Sequence, residues 1–227
     1  MIWRSLPVIS APMTFQMALD ERLFESQKKN KQEPFLRFYH SSGPWISVGC
    51  SFRRPEDLQA SGLLRNNSKV PFCRRITGGG CVLHGEDLIF SLFIRTESDP
   101  GKLGAVRTSY AMIHEAVRRG FLKFGGEPVF YEAQDDLEKG ADCFDFPVQS
   151  DLRMDGKKVA GGAQKRSVGV LLHHESVRIP EGVAWSDLAQ AIREGFEEVF
   201  SVTVRDADLD PEIYFQAERL AADRALS

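Results

Sequence analysis

No run in the 227-residue sequence approaches the ~18 apolar residues that a bilayer span requires, and the opening Met1-Ile2-Trp3-Arg4 lacks the basic-then-apolar layout of a secretion signal. No membrane partner is therefore expected, and the expected location is cytoplasmic. Cysteine is scarce: Cys50, Cys73, Cys81 and Cys143 are the only four, and no two stand as Cys-x-x-Cys. That spacing argues against a zinc knuckle and a thioredoxin-type pair, and in a reducing compartment all four would be thiols. A positive excess is missing too. A net charge of −3 argues against a general nucleic-acid binder. Internal repeats and low-complexity tracts are absent. His173 and His174 have no metal-ligand partner at convincing spacing, so no metal site is expected.

What is present reads as one domain over residues 1–227, with an ordinary 42% of hydrophobic residues. Strands are expected at residues 3–9, 35–40, 70–75, 87–94 and 128–131, with residues 45–49 as the hairpin partner of 35–40. Apolar residues recur at helical spacing over 14–27, 103–124 and 185–200. A short helix is expected at 55–61, ended by Gly62, and a final one at 210–226; 134–140 reads as an acidic loop. His114, on the longest helix, reads as a packed or surface histidine.

Two stretches stand apart. Arg74-Arg75-Ile76-Thr77-Gly78-Gly79-Gly80-Cys81-Val82-Leu83-His84 carries three consecutive glycines between strand patterns, where backbone amides can approach a ligand that side chains would exclude. It has neither the spacing nor the Lys-Ser/Thr ending of a Walker loop, so it fits a pocket wall better than a phosphate site. The second stretch runs from Asp142 to Ser176. There Asp155-Gly156 joins two alternating strands in a tight hairpin, and Lys158 precedes Gly161-Gly162-Ala163-Gln164. Glycine inside a strand marks a bulge or a close approach, and the strand is expected to resume at Ser167 and run into His173-His174. Taken alone, Lys158 reads as one more solvent-facing strand lysine, a role Lys157 fits better. Cys143 alone reads as a loop thiol and His84 as a residue orienting the loop. The basic doublets Arg74-Arg75, Lys157-Lys158 and Lys165-Arg166 form a basic rim if they share a face, and solvated strand edges otherwise.

Together, RRITGGGCVLH, GKKVAGGAQKR and LLHHES resemble the lipoate-protein ligase and octanoyltransferase family, which shares its catalytic fold with biotin protein ligases. MALDERLF, LRFYHSSGPWISVG and AIREGFEEVF extend the resemblance over nearly the whole chain. It implies an α+β fold: a mixed, largely antiparallel sheet flanked by helices; the separate C-terminal accessory domain that many ligases of the family carry is not expected here. By position, Lys158 matches the family's essential lysine. Arg75, Thr77, Gly78, Gly79, Gly80 and His84 match the loop lining the pocket, and Gly161 and Ala163 match the close-approach positions beside the lysine. His174 joins them as a substrate-binding candidate. Cys143-Phe144 looks like the element that carries a thioester in one octanoyltransferase branch. The chain departs from the pattern at Glu175, where glycine is usual, and at Cys81, where alanine is common. The segment between Ser176 and the late helix is also shorter than in typical relatives.

The resemblance implies acyl transfer from an acyl carrier protein, through Cys143, to a lysine of a lipoyl domain, with no cofactor. A second reading is an ATP-dependent lipoate-protein ligase that uses ATP and Mg and possibly an accessory subunit. A third is a non-catalytic module that binds lipoyl domains or acyl carriers. Covalent transfer needs a group that attacks and leaves easily, which a thiolate does. Lys158 would supply the positive charge that ionises it and then act as base. Backbone amides at residues 78–80 or 161–163 would stabilise the oxyanion. Val82, Phe90 and Leu171 are expected to line an apolar slot for the eight-carbon chain.

Overall fold

The computed structural model describes residues 1–30, 32–52, 61–132 and 149–221. Cys143, the acidic loop at 134–140 and all but the last residue of the helix expected at 55–61 lie outside that set. Strands β1 (Ile2–Ala11), β2 (Phe35–Ser41), β6 (Asp87–Arg95), β7 (Val129–Phe130), β8 (Leu152–Met154), β9 (Lys157–Ser167), β10 (Val170–Arg178) and β11 (Thr203–Asp206) form an eight-stranded sheet in the order β11-β1-β2-β6-β10-β9-β8-β7. β1 runs parallel to β11 and to β2, and every other neighbouring pair is antiparallel. A second sheet holds β3 (Trp45–Val48) between β4 (Phe72–Arg74) and β5 (Cys81–His84). The helices are α1 (Met13–Lys29), α2 (Gly62–Asn66), α3 (Pro100–Leu103), α4 (Val106–Leu122), α5 (Trp185–Phe200) and α6 (Pro211–Ala221). No helix among the described residues is long and apolar enough to cross a membrane.

Period-two alternation sorts the large sheet into two faces. Leu88, Phe90, Leu92 and Ile94 of β6 pack with Ile113, Val117 and Phe121 of α4 and with Leu188, Ile192 and Phe196 of α5. On the other face, Phe35, Phe93, Val170 and Leu172 meet Phe15, Leu19 and Phe24 of α1, and Ala217 of α6. With both faces covered, β6 and β10 are buried along nearly their whole length. The expected mixed, largely antiparallel sheet with flanking helices is the architecture found.

Three local expectations are corrected, and one strand, β11, was not foreseen. Residues 45–48 do not form a hairpin with β2, because β2 is already bonded to β1 on one side and β6 on the other; they pair with β4 and β5 instead. Gly62 begins a helix rather than ending one, with the Ser61 hydroxyl accepting from the Leu64 amide. β9 runs unbroken through Gly161 and Gly162, and the chain reverses at Val168-Gly169, both at positive φ, to start β10. β11 carries no alternating signature; Val204 is its sole buried residue.

One buried ion pair ties three elements together. Asp20 of α1 and Arg37 of β2 are both 0% exposed, and the guanidinium Nε and Nη2 donate to Asp20 Oδ1 at 2.9 and 2.7 Å. Arg37 Nη1 donates to Gln16 Oε1 at 2.6 Å, while Ser91 Oγ of β6 donates to Asp20 Oδ2 at 2.7 Å. Removing one partner strands the other charge. Arg37→Met is expected to cost about 3–5 kcal/mol in urea unfolding, and Asp20→Asn added to it should return part of that loss. Additive single-variant losses would show that the pair is not coupled.

Candidate active site

The turn between β4 and β5 is built from the glycine-rich stretch. Arg75 is buried, and it spends its guanidinium on that turn. Nη2 donates to the carbonyls of Gly78 and Gly80 at 2.7 and 2.9 Å, and Nη1 to the Ser47 carbonyl and hydroxyl at 3.0 and 3.1 Å. Cys50 N donates to Thr77 O and Gly49 N to Gly80 O, so the loop lies against the end of β3. Gly79 has φ +88, and a Cβ on Gly78 would meet nothing within 4 Å.

Two imidazoles hold this loop to the sheets, each backed by a carboxylate. His174 Nε2 lies 3.0 Å from Asp20 Oδ2, and its Nδ1 is 3.0 Å from Thr77 Oγ1. The carboxylate oxygen accepts only, so the proton sits on Nε2 and Thr77 donates to Nδ1. His84 repeats the arrangement: Nδ1 donates to Asp87 Oδ2 at 2.7 Å, and Ser47 Oγ donates to Nε2 at 2.8 Å. Ser176 Oγ donates to the same Asp87 oxygen at 2.6 Å. Burial and neighbouring Asp20 oppose each other on His174, and burial wins, holding its imidazole below the ordinary value. On Asp20 and Asp87 burial acts upward, but Arg37 and His174 at the first, and His84 and Ser176 at the second, outweigh it and lower both carboxyls.

Lys158 is 7% exposed, and its Nζ pairs with Asp151 Oδ2 at 2.7 Å. A shift of register between β8 and β9 at Leu152/Arg153 turns the lysine to the same face as Gly161. A Cβ on Gly161 would come within 2.1 Å of Lys158 Cε and 2.3 Å of Nζ, so the glycine is where the lysine side chain lies. Gly161 is paired with Ser176, and Ala163 with His174. Arg75, Thr77, Gly78, Gly79, Gly80, His84, Lys158, Gly161, Ala163 and His174 are thereby joined in one connected region. Cys143 lies outside the described residues. Cys50, Cys73 and Cys81 are thiols, and burial pushes that of Cys73 up to about 12.

Sequence reasoning missed the partners. Asp151 carried no signal of its own beside the hairpin, Asp20 and Ser47 sit far in sequence from the imidazoles they meet, and Ser176 sits far from Asp87; Asp87, three residues after His84, was within reach of a spacing argument. Two expectations are corrected. Phe90 and Leu171 belong to the core beneath the sheet, against α4 and α5, so they share no slot with Val82 of β5. The basic doublets make no common rim, since Arg75 and Lys158 point inward and Arg166 donates to the carbonyls of Leu103 and Gly104.

On that underside His173 and Glu175 of the LLHHES stretch meet His114, a grouping the sequence did not announce. His114, His173 and Glu175 are buried, with Glu175 Oε2 at 2.9 Å from His114 Nε2 and 2.6 Å from His173 Nε2. Gly162, paired with Glu175, leaves the room: a Cβ there would stand 2.4 Å from both Glu175 Oε2 and His173 Nε2.

Residues 12–194 match the family described as the lipoyl protein ligase A/B catalytic domain. The chain belongs to that family. Among its curated relatives, an octanoyltransferase LipM of Exiguobacterium sp. is 37% identical over 77% of this chain, which spans 65% of that protein's length. Another, from Kyrpidia tusciae, is 30% identical over 98% of this chain and 72% of its own. The ligase A/B fold is also that of a bi-partite lipoate protein ligase from Thermoplasma acidophilum, solved in a study that includes its E2 lipoyl domain, at TM-score 0.72 and 19% identity over 98% of this chain and 92% of that one.

The Glu175 group makes stability depend on pH. Burial opposes its charge, yet His114, by charge and hydrogen bond, and then His173 outweigh burial and pull the carboxyl down to about 2 from an ordinary 4.5. A lowered carboxyl contributes stability that is complete above pH 4.5 and lost as pH falls from there through about 2. That contribution is on the order of 3 kcal/mol. Burial likewise opposes the charge of His114, but Glu175 raises its imidazole, so its share persists below pH 6.5 and disappears as pH rises through the raised value. Glu175→Gln is expected to flatten both arms of a plot of unfolding free energy against pH. Unchanged slopes would contradict the assignment.

Proposed function

We propose that this chain carries the catalytic unit of an octanoyltransferase, moving an octanoyl or lipoyl group from an acyl-carrier thioester to a lysine of a lipoyl domain. The observation that carries this reading is the buried Lys158 ammonium, fixed by Asp151 over the bare backbone of Gly161, in a region continuous with the glycine loop. Family membership and the octanoyltransferase relatives support it.

In this reaction the Cys143 thiolate attacks the thioester carbonyl of an acyl carrier protein, and the carrier thiol leaves with a proton. The amine of the acceptor lysine then attacks the Cys143 thioester; its nitrogen loses a proton and the cysteine thiolate departs. Negative charge develops twice on the acyl oxygen. A cation already in place meets that charge without reorganising. Because Lys158 is paired with a carboxylate, its role here is to polarise the carbonyl, and the proton lost by the incoming amine passes to the departing Cys143 sulfur. Backbone amides of residues 78–80 supply further donors. Such transfer consumes no cofactor, and its carrier substrate and reduced thiol fit the cytoplasm. The lipoyl-domain acceptor has a counterpart in the Thermoplasma ligase, which was studied with its E2 lipoyl domain.

The test is mass spectrometry of a lipoyl domain after incubation with octanoyl carrier protein alone, or with free lipoate, ATP and Mg. Modification by the first mixture and an acyl adduct on Cys143 are expected. Full transfer by Cys143→Ala would remove the thioester route, and modification by the second mixture alone would establish the ligase reading. Gly161→Ala displaces the lysine side chain rather than backbone. It should cost about 10²-fold in transfer rate, the scale of a 1 Å misplacement, while melting stays within a few degrees of wild type. A wild-type rate would separate Lys158 from the chemistry.

A further inference from the structure

The proposed transfer leaves the buried group of His114, His173 and Glu175 without a task. Their donor atoms lie within 4.8 Å of one another, a spacing that suits a metal ion. The hydrogen-bond partners around the two imidazoles favour another use. Gln164 Oε1 is held by Ser109 Oγ at 3.1 Å and by Arg166 Nε and Nη2 at 3.3 and 3.2 Å, which turns the amide nitrogen toward His173 Nδ1 at 3.2 Å. His173 Nδ1 therefore accepts, and its proton sits on Nε2, pointing at Glu175. His114 Nδ1 faces the Ser150 carbonyl, which also accepts only, so that nitrogen is protonated as well. With Nε2 hydrogen-bonded to a carboxylate, His114 is an imidazolium. Both Nε2 atoms direct protons, not lone pairs, at Glu175, and one positive charge balances one negative.

The geometry continues upward from there. Ser150 has φ +76, an unusual conformation for a residue with a side chain. It is held there by its own amide donating to Tyr131 O at 3.0 Å and by His114 on its carbonyl. The next residue is Asp151, whose carboxylate grips Lys158 Nζ, while Tyr131 N donates to Asp151 O at 2.7 Å. We propose that Glu175 and His114 are positioning residues for Lys158, acting from the opposite face of the sheet: Glu175 orients His114, His114 fixes the left-handed Ser150, and Ser150 aims Asp151 at the lysine. This rests on the reading of Lys158 as the group that meets the acyl carbonyl.

The test reads the lysine directly as well as turnover. In a Glu175→Gln background, His114→Asn puts an amide nitrogen near the place of Nδ1, where it can still donate to Ser150 O. His114→Gln puts one near the place of Nε2 and leaves Ser150 O without that donor. The first double variant is expected to keep the Lys158 ammonium resonance in nitrogen-15 NMR and a transfer rate within about threefold of Glu175→Gln alone. In the second, that resonance should broaden or move, and the rate should fall about tenfold. Should the second double variant fail to fold, His114→Gln with Glu175 retained tests the same loss. A purely structural role predicts the same lysine resonance in both, and that outcome overturns the proposal. So does a stoichiometric metal ion in the purified wild-type protein. If wild type transfers no acyl group at all, the functional reading fails, while the NMR comparison still decides the positioning.

Discussion

A carboxylate taken out of water has to be surrounded by donors, and Asp20 shows how much structure that requirement organises. Arg37, Ser91, Tyr39 and His174 all address its two oxygens. They come from β2, β6 and β10, while Asp20 itself comes from α1. An unpaired charge at 0% exposure would cost several kcal/mol, so helix and strands are obliged to meet in one register. The same requirement fixes His174, whose other nitrogen accepts from Thr77 and so sets where the glycine loop begins. The start of the loop is thus tied to the buried charge through a single imidazole.

The central strand β10 does this work on two faces at once. His174 and Ser176 face the loop, and His173 and Glu175 face α4. Four polar residues in succession on a strand buried on both sides would be ruinous without partners. Here each has one, and each partner comes from a different element. The space for the Glu175 carboxylate comes from the missing side chain of Gly162 on the neighbouring strand, and its charge is met by His114 of α4.

Much of the architecture was legible in the sequence because it rests on local periodicity. The period-two run of β6, the apolar stripes of α1, α4 and α5, and the Asp155-Gly156 hairpin all appear where the pattern puts them. What the pattern could not carry is pairing. Residues 45–48 read as a partner of β2 because the turn before them is short, yet both edges of β2 belong to strands far away in the chain. Gly161-Gly162 read as a break because the side chains that fill their space come from Lys158, Glu175 and His173. Motif reading gathered Thr77, His84, Lys158, Gly161 and His174 into one region but left out Asp20 and Asp151, since a lone aspartate carries no mark of the cation it will meet.

Glycine at position 161 also explains how a lysine can be held so firmly. A four-carbon stem normally samples many rotamers, and an exposed ion pair gains little from fixing it. Here the stem lies in the volume that a Cβ at 161 would occupy, and its end is closed by Asp151. The entropy of ordering the side chain is lost once, during folding, and not again at each encounter with a substrate. A charge held in this way is preorganised, since no rotamer has to be found before it meets a partner. The bare backbone beside the lysine is therefore part of the same device as the charge it accommodates.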